Sequence, residues 1–207
     1  MELDRRTLNK LIIEAAIEAA SEGVPVDMPR QLDDQHPVIP LAVDRDGDVA
    51  FAALLSWSEQ DSGWKPSLCN ETLVKGDDGY WCPSGGSSGM PPRYYPLAAR
   101  RPAEPAGLHI RLYGGDSQAS GDGVKGWRTA ALYISAEVET LRIADRRLPV
   151  PFHGYVSVVM PNRSHAEVAA IGNDGSVLQT INLRRSYTDL FREQRRRDPD
   201  NWPSKIK

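Results

Sequence analysis

Cys69 and Cys82 are the chain's two cysteines, and they bracket the segment CNETLVKGDDGYWC. KGDDG reads as a hairpin turn, and with Asp77 and Asp78 at its centre Cys82 faces Leu73. Cys69 then lies four residues further along its strand, an offset of roughly 13 Å, whereas a disulfide needs Cα atoms within about 7 Å. Facing the cysteines directly would centre the loop on Lys75-Gly76, which is poorer turn chemistry. Separate thiols are therefore expected. A catalytic thiol also needs a base that lowers its pKa. His109, on an alternating run, and His153, beside Gly154, are the imidazoles that could approach a sheet face, and no spacing ties either to a cysteine.

Metal chemistry has little to build on. The four histidines, His36, His109, His153 and His165, have no CxxC or HxxxH neighbour of the kind that assembles a zinc site. Asp44, Asp46 and Asp48 alternate, but Gly47 stands at position 4 of what would be a calcium loop that wants its glycine at position 6 and a glutamate at position 12. PSGGSSG has the composition of an anion cradle, yet Met90-Pro91-Pro92 follows where a phosphate loop needs GK[ST] and amide donors. No G-x-S-x-G elbow occurs. The expectation is no metal, no cofactor and no catalytic constellation contiguous in sequence.

Aromatic residues make a sharper case. Trp57, Trp64, Tyr80 and Trp81 gather around the KGDDG hairpin, with Tyr94 and Tyr95 on the adjoining stretch. Exposed rings of this kind stack on sugars or anchor a protein partner, while buried ones simply fill a core. Near the other end, Leu183, Tyr187, Leu190 and Phe191 fall on one helical stripe suited to docking, in cis or on another subunit.

The elements that position these residues are mostly strands. Asp4 caps a first helix that Gly23 and Pro25 end, with Leu8, Leu11, Ile12, Ala15 and Ala19 along one side to dock on the core, and Ile13 and Ile17 widening the apolar arc so that sharing it with a partner subunit is the second reading. Residues 24–37 read as an irregular connector. Val38–Val43 and Val49–Trp57 form a hairpin whose Asp46-Gly47 suits a type I turn with a G1 bulge, and Glu167–Ile171 with Val177–Leu183 repeats that turn chemistry. Extended runs at 68–74, 80–83, 108–113, 129–138, 140–143 and 154–160 complete the series, with long loops expected at 84–101 and 114–126. No strand–helix–strand alternation and no long repeat appear. A C-terminal helix begins at Ser186 or Thr188 and stops at Pro199.

Together these predict a mainly β chain: an antiparallel β-sandwich, immunoglobulin-like or related, over 24–183, with an N-terminal helix in 1–23 and an amphipathic helix and basic tail in 184–207. The net charge of −3 divides into +4 from Arg184 onward and −7 before it. That balance argues against nucleic-acid binding except through the tail, where Arg195, Arg196 and Arg197 also offset a helix dipole and Trp202 adds one ring. No run reaches the ~20 apolar residues of a membrane span, Glu14 and Glu18 interrupt the only signal-like stretch, and a cytoplasmic location is the default expectation. The function expected is a non-enzymatic protein-interaction or assembly module, oligomeric through its terminal helices. A glycan- or small-ligand-binding sandwich using the rings and Gly-rich loops comes second, and an enzyme assembled from sequence-distant residues third.

Overall fold

A computed structural model describes residues 4–60, 63–90, 97–118, 126–161, 167–183 and 185–198, without the side chains of 88–90, 116–118 and 161. The chain is mainly β and antiparallel throughout, with a helix at each end. Helix α1 (Arg5–Glu22) starts as its cap requires: Asp4 Oδ1 accepts the N–H groups of Arg6 and Thr7, and Gly23 closes the other end at φ 96°. Its buried residues are Leu8, Ile12, Ala16, Ala19 and Ala20, whereas Leu11 and Ala15 of the expected stripe are half-buried.

Among the described residues eleven strands follow: β1 (Val38–Asp46), β2 (Val49–Gln60), β3 (Gly63–Lys75), β4 (Trp81–Met90), β5 (Ile110–Gln118), β6 (Trp127–Ile134), β7 (Val138–Ile143), β8 (Arg146–Pro149), β9 (Tyr155–Pro161), β10 (Glu167–Gly172) and β11 (Val177–Asn182), ahead of α2 (Tyr187–Arg197). They form three sheets, β1-β2-β3-β4, β5-β6-β9 and β11-β10-β7-β8. Strict alternation on β2 and β3 gives the first sheet two apolar faces. Ala50, Ala52, Leu54, Cys69 and Leu73 meet α1, while Ile39, Leu41, Phe51, Leu55 and Leu68 meet Tyr113, Tyr133 and Tyr155 of the second sheet. The second sheet's other face, with Leu112, Leu132, Ile134 and Val158, packs on Val138, Leu141, Val168 and Ala170 of the third. The layers thus run α1, first sheet, second sheet, third sheet. The stacking is sandwich-like, with one sheet more than a simple sandwich.

Two seams join the first two sheets into a flattened enclosure. At one, β1 runs beside β9: Val159 N–H donates to Asp44 Oδ2 (2.7 Å) and the Ser157 hydroxyl to the Ala42 carbonyl (3.2 Å). At the other, contact is briefer: the Asn70 amide, which donates to Ser87 Oγ within the first sheet (3.4 Å), fills the space a Cβ at Gly114 of β5 would need.

The turns show where local chemistry decides. Asp77-Asp78-Gly79 and Asn173-Asp174-Gly175 are the same three-residue loop. Gly76 N–H donates to the Tyr80 carbonyl and Gly79 N–H to the Gly76 carbonyl, with Gly172, Ser176 and Gly175 repeating the pattern. Gly79 and Gly175 take the positive φ (84° and 79°) that a type I turn with a G1 bulge demands, and Asp78 and Asp174 each accept the N–H two residues on. The first hairpin differs from expectation. Asp46 pairs with Val49, so its loop is the two residues Gly47-Asp48 with the positive φ on Gly47, which suits a II′ rather than a type I turn. The three-residue loop also moves the β3–β4 register by one: Cys82 faces Val74, not Leu73.

The Gly-rich segments are the larger correction. Residues 84–90 belong to β4 and 114–118 to β5, not to long loops. Neighbouring atoms occupy the places their side chains would take. A Cβ on Gly86 would lie 2.4 Å from the Glu71 carboxylate, and one on Gly115 would lie 2.3 Å from the Thr129 carbonyl and 2.8 Å from the Tyr187 ring. The short strand β8 is likewise not foreseen from sequence. Pro199, Trp202, Tyr94, Tyr95 and His165 lie outside the described residues.

Candidate functional site

The residues nominated by sequence divide into two groups far apart in the fold. On α2, Leu183 and Leu190 are buried in the core between the second and third sheets, and Tyr187 and Phe191 pack half-buried against it. Ser186 caps the helix by accepting Asp189 N–H. Tyr187 donates its hydroxyl proton to the Thr129 carbonyl under the Arg128 guanidinium (5.9 Å from the ring centre). A salt bridge between Arg111 and Asp198 (2.8 Å), both buried, pins the helix's far end to β5. The stripe is therefore docked in cis.

Trp64 and Trp81 occupy opposite ends of β3, since Trp81 pairs with Lys75, eleven residues and roughly 36 Å along the strand from Trp64. Both are half-buried at the margin of the α1 layer. Tyr80, 73% exposed, stands beside Trp81, whose ring lies 5.6 Å from Lys75 Nζ. Trp57 packs against the cores on both faces of the first sheet. Cys69 is buried under α1, Cys82 is at the surface, and no bond joins them.

Polar constellations that sequence reading missed are tied into the framework. Ser135 Oγ lies 2.9 Å from His109 Nδ1, with Glu137 Oε2 3.7 Å from the same nitrogen. In a nucleophilic triad the hydroxyl and the carboxylate meet opposite ring nitrogens, so this trio lacks that polarity. Burial would raise the Glu137 carboxyl, but the Ser135 hydroxyl and the Ala103 N–H hold it below the usual range. His153 is buried, and its Nδ1 accepts Tyr155 N–H (3.0 Å). Its Nε2 makes no hydrogen bond of proper geometry among the described residues, with the Leu41 carbonyl acting as a nearby dipole.

Glu71 is different in kind. It points to the α1 side of the first sheet, between Cys69 and Leu73 on β3 and across from Ala52 and Gly86. Desolvation alone pushes its carboxyl up to about 7. Because the folded state holds a proton that the unfolded chain releases above about 4.5, this group lowers stability as pH rises to about 7 and no further beyond. Partial solvent contact screens the effect to about 1–2 kcal/mol. Glu71→Gln is expected to be more stable than the native chain by that amount at pH 8 and indistinguishable at pH 4, as read by urea unfolding.

The remaining feature is a strand edge. Three sheets have six edges. β1 lies along β9, β4 touches β5 only briefly, and β5 is also met by α2 and by Gln179, while β8 and β11 form the two sides of the third sheet. β8 is protected: it has four residues, one of them Pro149, and carries Arg146 and Arg147. β11, VLQTIN, has no charge and no proline, and among the described residues no strand pairs with its outer side. Val177 at its start is 52% exposed, and Thr180 and Asn182 are exposed too. Ile110 N–H donates to Gln179 Oε1 (2.7 Å), which holds the strand's inner face to β5. Beside Thr180 an open groove of about 340 Å³ runs over Ala169 to Arg142. No helix among the described residues is long and apolar enough to cross a membrane. Comparison with protein-family models, with curated proteins and with solved structures finds no match for this chain.

Proposed function

We propose that this chain is a non-enzymatic assembly module that acts by protein–protein contact at the open edge of its third sheet. The edge of β11 carries this reading: it is bulged at Leu178 but has no charge and no proline, and an edge strand without those two guards offers a template for another strand. Burial of Leu183 and Leu190 in the chain's own core favours that edge over the C-terminal helix as the contact surface. Native mass spectrometry of the protein recovered from its host cells tests the reading. Recovery as an oligomer or with a second protein is expected; recovery as a monomer carrying a small molecule overturns it and favours a ligand-binding role.

A further inference from the structure

We infer that β11 pairs antiparallel with β11 of a second copy of this chain, about a two-fold axis at Thr180, so that two third sheets become one eight-stranded sheet. The inference rests on the assembly reading and names its occupant. In an antiparallel pair, residues directly opposite share a face, so a two-fold on Thr180 sets Thr180 against its counterpart on the outer face and Gln179 against Ile181 on the inner. Outer and inner faces stay continuous across the junction. A Thr–Thr pair is favourable across strands, and with no charge anywhere in VLQTIN no like charges meet. The other open edge fails the same test, since β8 is only four residues long, ends in Pro149, which donates no hydrogen bond, and has its Arg146 held by Asp44.

The outer face supports the same geometry. Arg142, Ala169 and Thr180 stand in register across β7, β10 and β11. The two-fold extends this row into a trough with Ala169 and Thr180 at its floor and Arg142 and Glu167 along it, so the groove beside Thr180 becomes the centre of the interface. Leu178 is skipped by the register shift opposite Ala170 and Ile171, which keeps the ladder short. A ladder of at most six residues a side is short for an interface, so the association is expected to be reversible, weak and concentration-dependent.

Sedimentation equilibrium of the full chain tests this with two variants at an exposed position that the fold does not need. Thr180→Lys puts two like charges on the axis and is expected to weaken association at least tenfold while leaving the melting temperature unchanged. Thr180→Cys, in a chain that also carries Cys82→Ser, is expected to form a disulfide between copies under mild oxidation. If the native chain associates but Thr180→Lys associates equally well and Thr180→Cys stays reduced, the β11 pairing is wrong while the assembly reading stands. If the native chain is monomeric at every concentration yet comes from host cells bound to another protein, self-pairing is overturned alone. If both measurements give a bare monomer, both fall.

Discussion

Asp44→Ala is expected to cost about 3–5 kcal/mol of folding stability, measured by urea unfolding at neutral pH. The Asp44 carboxylate is 8% exposed and accepts three hydrogen bonds: two from the Arg146 guanidinium (3.1 Å each) and one from Val159 N–H (2.7 Å). These bonds join β1 to β9 and β8, so one side chain holds a seam between layers. Burial raises its pKa against the pull of Val159 N–H and Arg146, so desolvation outweighs the attraction. The pair as a whole is thus worth little over apolar packing, yet removing Asp44 leaves the Val159 N–H unpaired and the guanidinium with only the Val159 and Arg45 carbonyls. The double variant Asp44→Leu with Arg146→Met is expected to regain most of what Asp44→Ala loses, short of about 1 kcal/mol for the orphaned Val159 N–H. A double variant as unstable as the single one would contradict this account.

The second large effect appears only when pH is varied. Burial first, then the Arg100 charge, lowers the His153 pKa to about 4, against the Leu41 carbonyl. The unfolded chain takes up a proton near pH 6.5 that the folded chain refuses, so stability is complete above that value and declines as pH falls toward 4. About 2.5 kcal/mol is lost by pH 4.5. Glu71 works the other way over nearly the same window, because its pKa of about 7 makes stability rise as pH falls. The two lie on different layers and offset one another, so the native chain is expected to show a shallow profile between pH 4.5 and 7. His153→Asn keeps an acceptor for Tyr155 N–H and cannot titrate. It is expected to become more stable on acidification, whereas Glu71→Gln becomes less stable. Parallel profiles for the native chain and His153→Asn would remove His153 from the balance.

What was legible in the sequence was local. Asp4 and Ser186 as caps, and the Asp-Gly turns at 78–79 and 174–175, depend on groups two or three residues away. The Gly-rich strands were not legible, because what makes Gly86 and Gly115 suit a strand is the Glu71 carboxylate and the Tyr187 ring arriving from elsewhere. β7, β10 and β11 were legible as strands but not assignable to a sheet, since β7 and the unforeseen β8 are inserted between β6 and its partner β9. Leu183 and Leu190 gave a clear stripe, but a stripe does not say whose core it joins. The β11 edge emerged only from the assembled sheets, where β1 lies along β9 and Pro149 marks β8 as protected.

Hydrogen–deuterium exchange at low and high protein concentration tests the central claim most directly, because an edge amide gains protection only when something pairs with it. Amides of residues 177–182 are expected to slow as concentration rises, while those of Arg146 to Leu148 on β8 stay unchanged. Identical exchange in β11 at every concentration would contradict assembly through this edge.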